Sequence, residues 1–262
     1  NAEMPRPTGI YGLERWYNPT LSREEPLYTT IDRNVQSEAQ DTLRELVNKH
    51  GAAGGSIIVM RPGAGDIIAL ANWPSFDPNN YADYSVELFT NPAVEHMYEP
   101  GSVFKPITMA AGIEKGVIAP DTTYYDSGSV TLNGKTIHNW DYKAHGLTTM
   151  TEVIENSINT GAVFAAREIG KDALLSYFKK FGFGSRTGID LPNEADGNLR
   201  NLENRNARDI DLATASFGQG VAVTPIQLIS AYAAIANGGK LVRPRINREL
   251  EVKVLGRAVS KE

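Results

Sequence analysis

Glu99-Pro100-Gly101-Ser102-Val103-Phe104-Lys105-Pro106 decides the reading of this 262-residue chain. Its spacing predicts a helix that starts near Ser102, with Lys105 one turn on and on the same face. The lysine amine can therefore reach the serine hydroxyl. A serine hydroxyl is a poor nucleophile until a base takes its proton, and a desolvated lysine can be that base. Gly101 removes a side chain where the backbone must turn and where a substrate carbonyl would approach. The free N–H groups of a helix start can help hold a developing oxyanion. The stretch reads as an acyl-transfer nucleophile.

Ser-x-x-Lys spacing alone is common, and the chain supplies a decoy in Ser176-Tyr177-Phe178-Lys179. There, Leu174, Leu175, Phe178 and Phe181 mark the buried side of an amphipathic helix, which leaves Ser176 mid-helix with its N–H spent. Ser102 has different company. Ser157-Ile158-Asn159 is the only Ser-x-Asn in the chain. A second hydroxyl beside the Ser–Lys pair could relay a proton to a leaving amine. The carboxamide could grip a substrate amide with a donor and an acceptor together.

Composition allows this chemistry and excludes other classes. Hydrophobic residues make up 41% and charged residues 22%, a globular balance. A net charge of −5 without a basic tract argues against nucleic acid as a partner. With no cysteine there are no disulfides or thiolate metal sites. No apolar run approaches the ~18 residues of a membrane span, and Asn1-Ala-Glu-Met-Pro5 does not begin a signal peptide.

The periodicity predicts mixed α and β. Asp32 caps a helix with Val35, Ala39, Leu43, Leu46 and Val47 on one side, closed by Gly51. Ser56–Met60 and Asp66–Ala71 read as a β-hairpin near the centre of a sheet. Residues 72–100 read as loop. Ser102–Lys115, Thr151–Ile169, Ala173–Phe181 and Pro225–Asn237 read as helices. Helices between strands at both ends of the chain suggest an α/β (α+β) sandwich with a mainly helical insert.

The Glu99–Pro106 stretch resembles the first active-site motif of the class B penicillin-binding proteins, and Ser157-Ile158-Asn159 resembles their second. Five further stretches match the same family in order: Thr29–Gln36, His138-Asn139-Trp140-Asp141, Gly182-Phe183-Gly184 with Thr187–Pro192, Ala215–Gly220, and Val223–Gln227. The resemblance runs from Thr29 to Ile246, and Gly9–Glu14 is similar to the segment leading into the catalytic domain. The closest flavour is the cell-division and sporulation type. The resemblance implies a penicillin-binding/serine β-lactamase-like fold and peptidoglycan D,D-transpeptidase activity. Ser102 would attack the stem-peptide carbonyl, Lys105 would be its base, Ser157 a proton relay and Asn159 a substrate ligand. The Ser102 N–H would be half of the oxyanion hole. It further implies acylation by β-lactams, no cofactor, a membrane glycosyltransferase and division proteins as partners, and a place outside the bacterial cytoplasmic membrane. The family's N-terminal transmembrane anchor does not occur in the sequence.

One departure matters. The family's third motif, Lys-Thr-Gly, does not occur. Lys135-Thr136-Ile137 and Arg186-Thr187-Gly188 belong to other elements. The family also carries a longer segment where this chain has Leu21–Pro26. The expectation is a pedestal or linker remnant over residues 1–26 and a transpeptidase domain over 27–262, truncated before its last strands. Either the polypeptide was cut short or segments are missing from the sequence. A chain truly ending at Glu262 would be a poor enzyme, since losing one oxyanion donor alone costs ~10²–10³ in rate.

Three rival readings are weighed. Gly128–Thr136 is a near miss to a phosphate-binding loop, but Asn133-Gly134 between two short alternating runs reads as a hairpin turn. His138, Asp141 and His145 are close in sequence but read as polar loop residues rather than metal ligands. The third is a penicillin-recognising domain without turnover, a sensor or division scaffold, which shares the Ser-x-x-Lys core. A β-lactamase needs a group to activate water for deacylation. Glu152 and Glu155 near the second motif read instead as a solvated helix face.

Overall fold

Asp32 starts the first long helix as its spacing predicts, its carboxylate accepting from the N–H groups of Asn34 and Val35. The computed structural model describes residues 8–261, so residues 1–7, with the Asn1–Pro5 stretch, and Glu262 lie outside it. The helix Arg33–His50 ends on Gly51 in the left-handed region (φ 59°). It buries Ala39, Leu43 and Val47, whereas Val35 and Leu46 on the flanks of the stripe stay exposed.

That stripe lies on a hairpin of Gly55–Met60 and Ile67–Trp73, paired antiparallel with a bulge at Val59/Met60. Ala69 and Ala71 pack with Leu43 and Val47, while Ile58 and Leu70 join a cluster with Ile226 of the helix Pro225–Ala236. The hairpin is thus covered by a helix on each side, the layered arrangement expected of an α/β sandwich. It is not the centre of a wider sheet among the described residues. Beyond its own two strands it gains only an isolated parallel bridge from Asp66 to Arg245. Pro244, with no N–H to donate, stands where that ladder would continue. A second ribbon joins Lys240–Val242 to Val254–Arg257.

Between these outer strands lies the helical insert. Its axis is the helix Lys105–Lys115, which packs on Asn159–Ile169 and is followed in chain order by Lys171–Lys180 and Asp209–Ala215. Phe104 anchors the main core, its ring 4.8 Å from both Phe178 and Phe183. Gly112 is required where Ile118 crosses the central helix, since a Cβ there would lie 2.6 Å from Ile118 Cδ1. Two small ribbons cap one end, Thr123–Asp126 with Gly146–Thr149 and Ser129–Leu132 with Lys135–His138. Asn133 and Gly134 both have positive φ (47° and 74°), so the near-miss phosphate loop is a tight hairpin turn.

The loop predicted over residues 72–100 gives its first two residues to the strand that ends at Trp73. Beyond it lie short turns at Pro78–Asp83, Val86–Phe89 and Pro92–Glu95 and a bridge at Tyr98. The predicted helix over Thr151–Ile169 is two helices, Met150–Glu155 and Asn159–Ile169. Ser157 sits between them at φ 54°, a conformation that an α-helix cannot contain. At the N-terminal side, Leu13 joins the Ile67 cluster and the Tyr17 hydroxyl donates to Asp190 Oδ2 at 2.7 Å. Asp190 also accepts from the N–H groups of Ile246 and Asn247, so its signature stretch ties three segments together.

The two faces of the first helix should respond differently to truncation. Leu43 is 5% exposed and Leu46 44%. Leu43→Ala is expected to cost about 2–5 kcal/mol, and Leu46→Ala less than about 1 kcal/mol. Urea unfolding of the two variants tests this, and equal losses would contradict the packing described.

Candidate active site

Ser102 lies in a single 3₁₀ turn, Gly101–Phe104, and the α-helix begins only at Lys105. The sequence predicts a helix from Ser102 onward, and the tighter turn improves the geometry. In a 3₁₀ turn residues i and i+3 eclipse, so Lys105 stands directly over Ser102. Lys105 Nζ is 3.2 Å from Ser102 Oγ. Pro106 falls in the first helical turn, where no intrahelical donor is lost. The serine is exposed while its lysine is only 1% exposed.

The turn is cradled by residues more than a hundred positions away. Gly101 adopts φ 65° and donates its N–H to Gly218 O at 3.0 Å. A Cβ on Gly218 would lie 2.3 Å from Gly101 O, so only glycine fits against that backbone. Glu99 Oε1 accepts from the Gly220 N–H at 2.9 Å. Tyr98 and Val223 exchange both backbone hydrogen bonds, and the Thr108 hydroxyl donates to Ser216 O. The Tyr232 hydroxyl donates to Val103 O. The Ala215–Gly220 stretch, matched at the sequence level without a role, is therefore the seat of the serine turn.

Lys105 also reaches the second motif. Its Nζ is 3.0 Å from Ser157 Oγ and 2.6 Å from Ser157 O. The left-handed backbone at Ser157 turns this carbonyl toward the amine. Three uncharged oxygens thus surround a buried amine. Burial in these surroundings pulls the Lys105 pKa down to about 8. At neutral pH about a tenth of such an amine is free base. The neutral amine can donate two N–H bonds to Ser157 and keep its lone pair for the Ser102 proton.

Asn159 opens the helix Asn159–Ile169 and is half-buried. Its Nδ2 donates to His138 O at 2.9 Å, leaving Oδ1 and one N–H for a ligand. The Trp140 indole N–H donates to Asn156 O. Beneath them lies a buried network that the motif reading does not include. Asp126 accepts from Gly128 N–H, Thr160 Oγ1, Asn139 Nδ2 and His145 N–H, all within 2.9 Å. Burial pushes this carboxyl up, but the bonds from Thr160, Gly128, His145 and Asn139 overcome it and hold the pKa below the ordinary carboxylate value. Asp126 is signalled locally only by its turn with Gly128, and nothing in the sequence links it to Thr160.

The rejected candidates lie elsewhere. Ser176 is exposed, and Lys179 pairs with Glu203 at 2.8 Å. His145 Nε2 lies 3.2 Å from Asp141 Oδ2, and no group of three potential metal ligands occurs among the described residues. Glu152 is occupied in a capping box with Thr149. Thr187 is buried and donates through both its N–H and its hydroxyl to Glu194.

A serine, a buried amine and a second hydroxyl in this arrangement are chemically able to support acyl transfer. A family model described as the penicillin binding protein transpeptidase domain matches residues 55–262. Stage V sporulation protein D of Bacillus subtilis is 38% identical over 284 residues, covering 97% of this chain and 44% of that protein. A peptidoglycan D,D-transpeptidase FtsI homolog of Mesostigma viride is 34% identical, covering 84% of this chain and 38% of its own length. The chain thus spans less than half the length of these curated relatives. The crystal structure of penicillin-binding protein 3 from Mycobacterium tuberculosis complexed with ampicillin superposes with a TM-score of 0.87 at 30% identity, covering 97% of this chain and 61% of that one. By sequence and by fold, the chain belongs to the penicillin-binding protein transpeptidases, in their class B branch.

Proposed function

We propose that this chain is the catalytic part of a peptidoglycan D,D-transpeptidase that cross-links stem peptides through a serine acyl-enzyme. The observation that carries the reading is the run of contacts from Ser102 Oγ through Lys105 Nζ to Ser157 Oγ, at 3.2 and 3.0 Å. Lys105 as free base takes the Ser102 proton while Oγ attacks the carbonyl between the last two D-alanines. The Ser102 N–H, at the start of its turn, holds one side of the oxyanion. Ser157 passes the proton from Lys105 to the leaving D-alanine amine, and Asn159 grips a backbone amide of the donor stem. A neighbouring stem amine then attacks the ester, releasing Ser102 and forming the cross-link. No cofactor enters these steps.

β-Lactams imitate the stem terminus and acylate the same serine. Support comes from the Mycobacterium tuberculosis relative, whose structures include ampicillin and aztreonam complexes. We assign residues 27–262 to the transpeptidase domain and 1–26 to the linker before it. The substrate places the reaction outside the cytoplasmic membrane, beside a membrane glycosyltransferase and division proteins that supply nascent strands. No helix of the described residues is long and apolar enough to cross a membrane.

Intact mass after benzylpenicillin tests the nucleophile. One drug-sized adduct is expected, absent from Ser102→Ala; an adduct that survives the substitution would remove Ser102 from its role. The acylation rate should rise about tenfold per pH unit below about pH 8 and then level, because protonated Lys105 cannot accept a proton. A flat profile from pH 6 to 9 would contradict Lys105 as base. Gly218→Ala should slow acylation about 10²-fold by displacing the serine turn while leaving the mass of any adduct unchanged. Acylation at the parent rate would refute the seat described for that turn.

A further inference from the structure

Asn159 has a use in the proposed reaction, but the carboxylate buried beneath it has none. Asp126 is 0% exposed and meets four donors, none of them a cation. A carboxylate buried without a cation is costly, and apolar packing would serve stability at least as well. Its donors come from four places: the Gly128 turn, Asn139, His145 and the first turn of the helix Asn159–Ile169.

Two of those donors are side chains that themselves hold the second motif. Asn139 gives Nδ2 to Asp126 and to Lys143 O, and its Oδ1 accepts the Thr160 N–H at 3.2 Å. Reversing this amide would set its oxygen against the carboxylate and its NH₂ against the Thr160 N–H. Asp126 therefore selects one orientation of Asn139. The Thr160 hydroxyl donates to Asp126 at 2.7 Å and lies 3.0 Å from the Tyr124 hydroxyl. Three consecutive residues, His138, Asn139 and Trp140, then bind Asn159, Thr160 and Asn156.

We propose that Asp126 is a positioning residue for Asn159: through Asn139 and Thr160 it fixes the carboxamide that grips the amide of the acyl donor. The inference rests on the roles given above to Ser102 and Asn159. Its consequence is selective. Loss of Asp126 should harm acyl donors that carry the gripped amide more than donors that lack it.

Two probes separate these cases. Benzylpenicillin carries an acylamino side chain, and 6-aminopenicillanic acid has a bare amine in its place. The second-order acylation rates of the whole protein give a ratio of the two, which is independent of how much protein is folded. The ratio should fall about tenfold in Asn159→Ala, Asp126→Asn and Thr160→Val, roughly the effect of one hydrogen bond. Thr160→Ser should recover most of it. Adding Asp126→Asn to Asn159→Ala should lower the ratio no further. If Asp126→Asn folds poorly, the Thr160 pair carries the test. Rates that fall in parallel for both drugs, with the ratio kept, would overturn the positioning role alone. No Ser102-dependent adduct with either drug would overturn the catalytic reading and this inference together.

Discussion

A lysine amine buried among neutral oxygens is the constraint on which the rest of this structure depends. Placing an ammonium there without a carboxylate is unfavourable, and the protein lowers that cost by letting the amine lose its proton more readily. The same unfavourable placement makes the amine a usable base near neutral pH. Each element around it maintains the condition. The Phe104 core closes one side, the left-handed Ser157 supplies two oxygens, and the glycine-lined seat at Gly218 brings Ser102 within reach.

The site is thus built from two halves that meet at Lys105. One half is local in sequence, the turn Gly101–Phe104 with the helix that follows. The other arrives from the break before Asn159 and is held by the His138–Trp140 segment. The first half brings the serine and its lysine together, and the second supplies the Ser157 oxygens that orient the amine.

What the sequence made legible follows from range. Ser102 and Lys105 share one turn, so their contact follows from backbone periodicity alone. The Asp32 cap and the Asn133-Gly134 turn are equally local and appear as read, whereas of the five-residue stripe only Ala39, Leu43 and Val47 are buried and its flanks Val35 and Leu46 are not. Ser157 and Asn159 are visible as residue types, but their partners, Lys105 for Ser157 and His138 for Asn159, lie in other elements, and the link of Ser157 to Lys105 comes from the resemblance. The break at Ser157 was not legible, because the residues around it have helical periodicity and only tertiary contacts hold its positive φ. Asp126 escaped for a related reason. Its donors lie in separate segments, and a buried aspartate looks like a surface one in sequence. The breadth of sheet assigned to the first hairpin failed because strand neighbours are a long-range property.

The small hairpin of Ser129–Leu132 and Lys135–His138 carries a mechanical consequence. Its tip is fastened to the helix Asp209–Ala215 by Asn133 Oδ1, which accepts the Ile210 N–H at 3.0 Å. Its base ends at His138, which holds Asn159. That helix runs directly into the Ala215–Gly220 seat of Ser102. The hairpin is therefore a strut with a bolt at each end, spanning from the seat of Ser102 to Asn159. Shortening or lengthening it by a residue would change the gauge between those two points while touching neither.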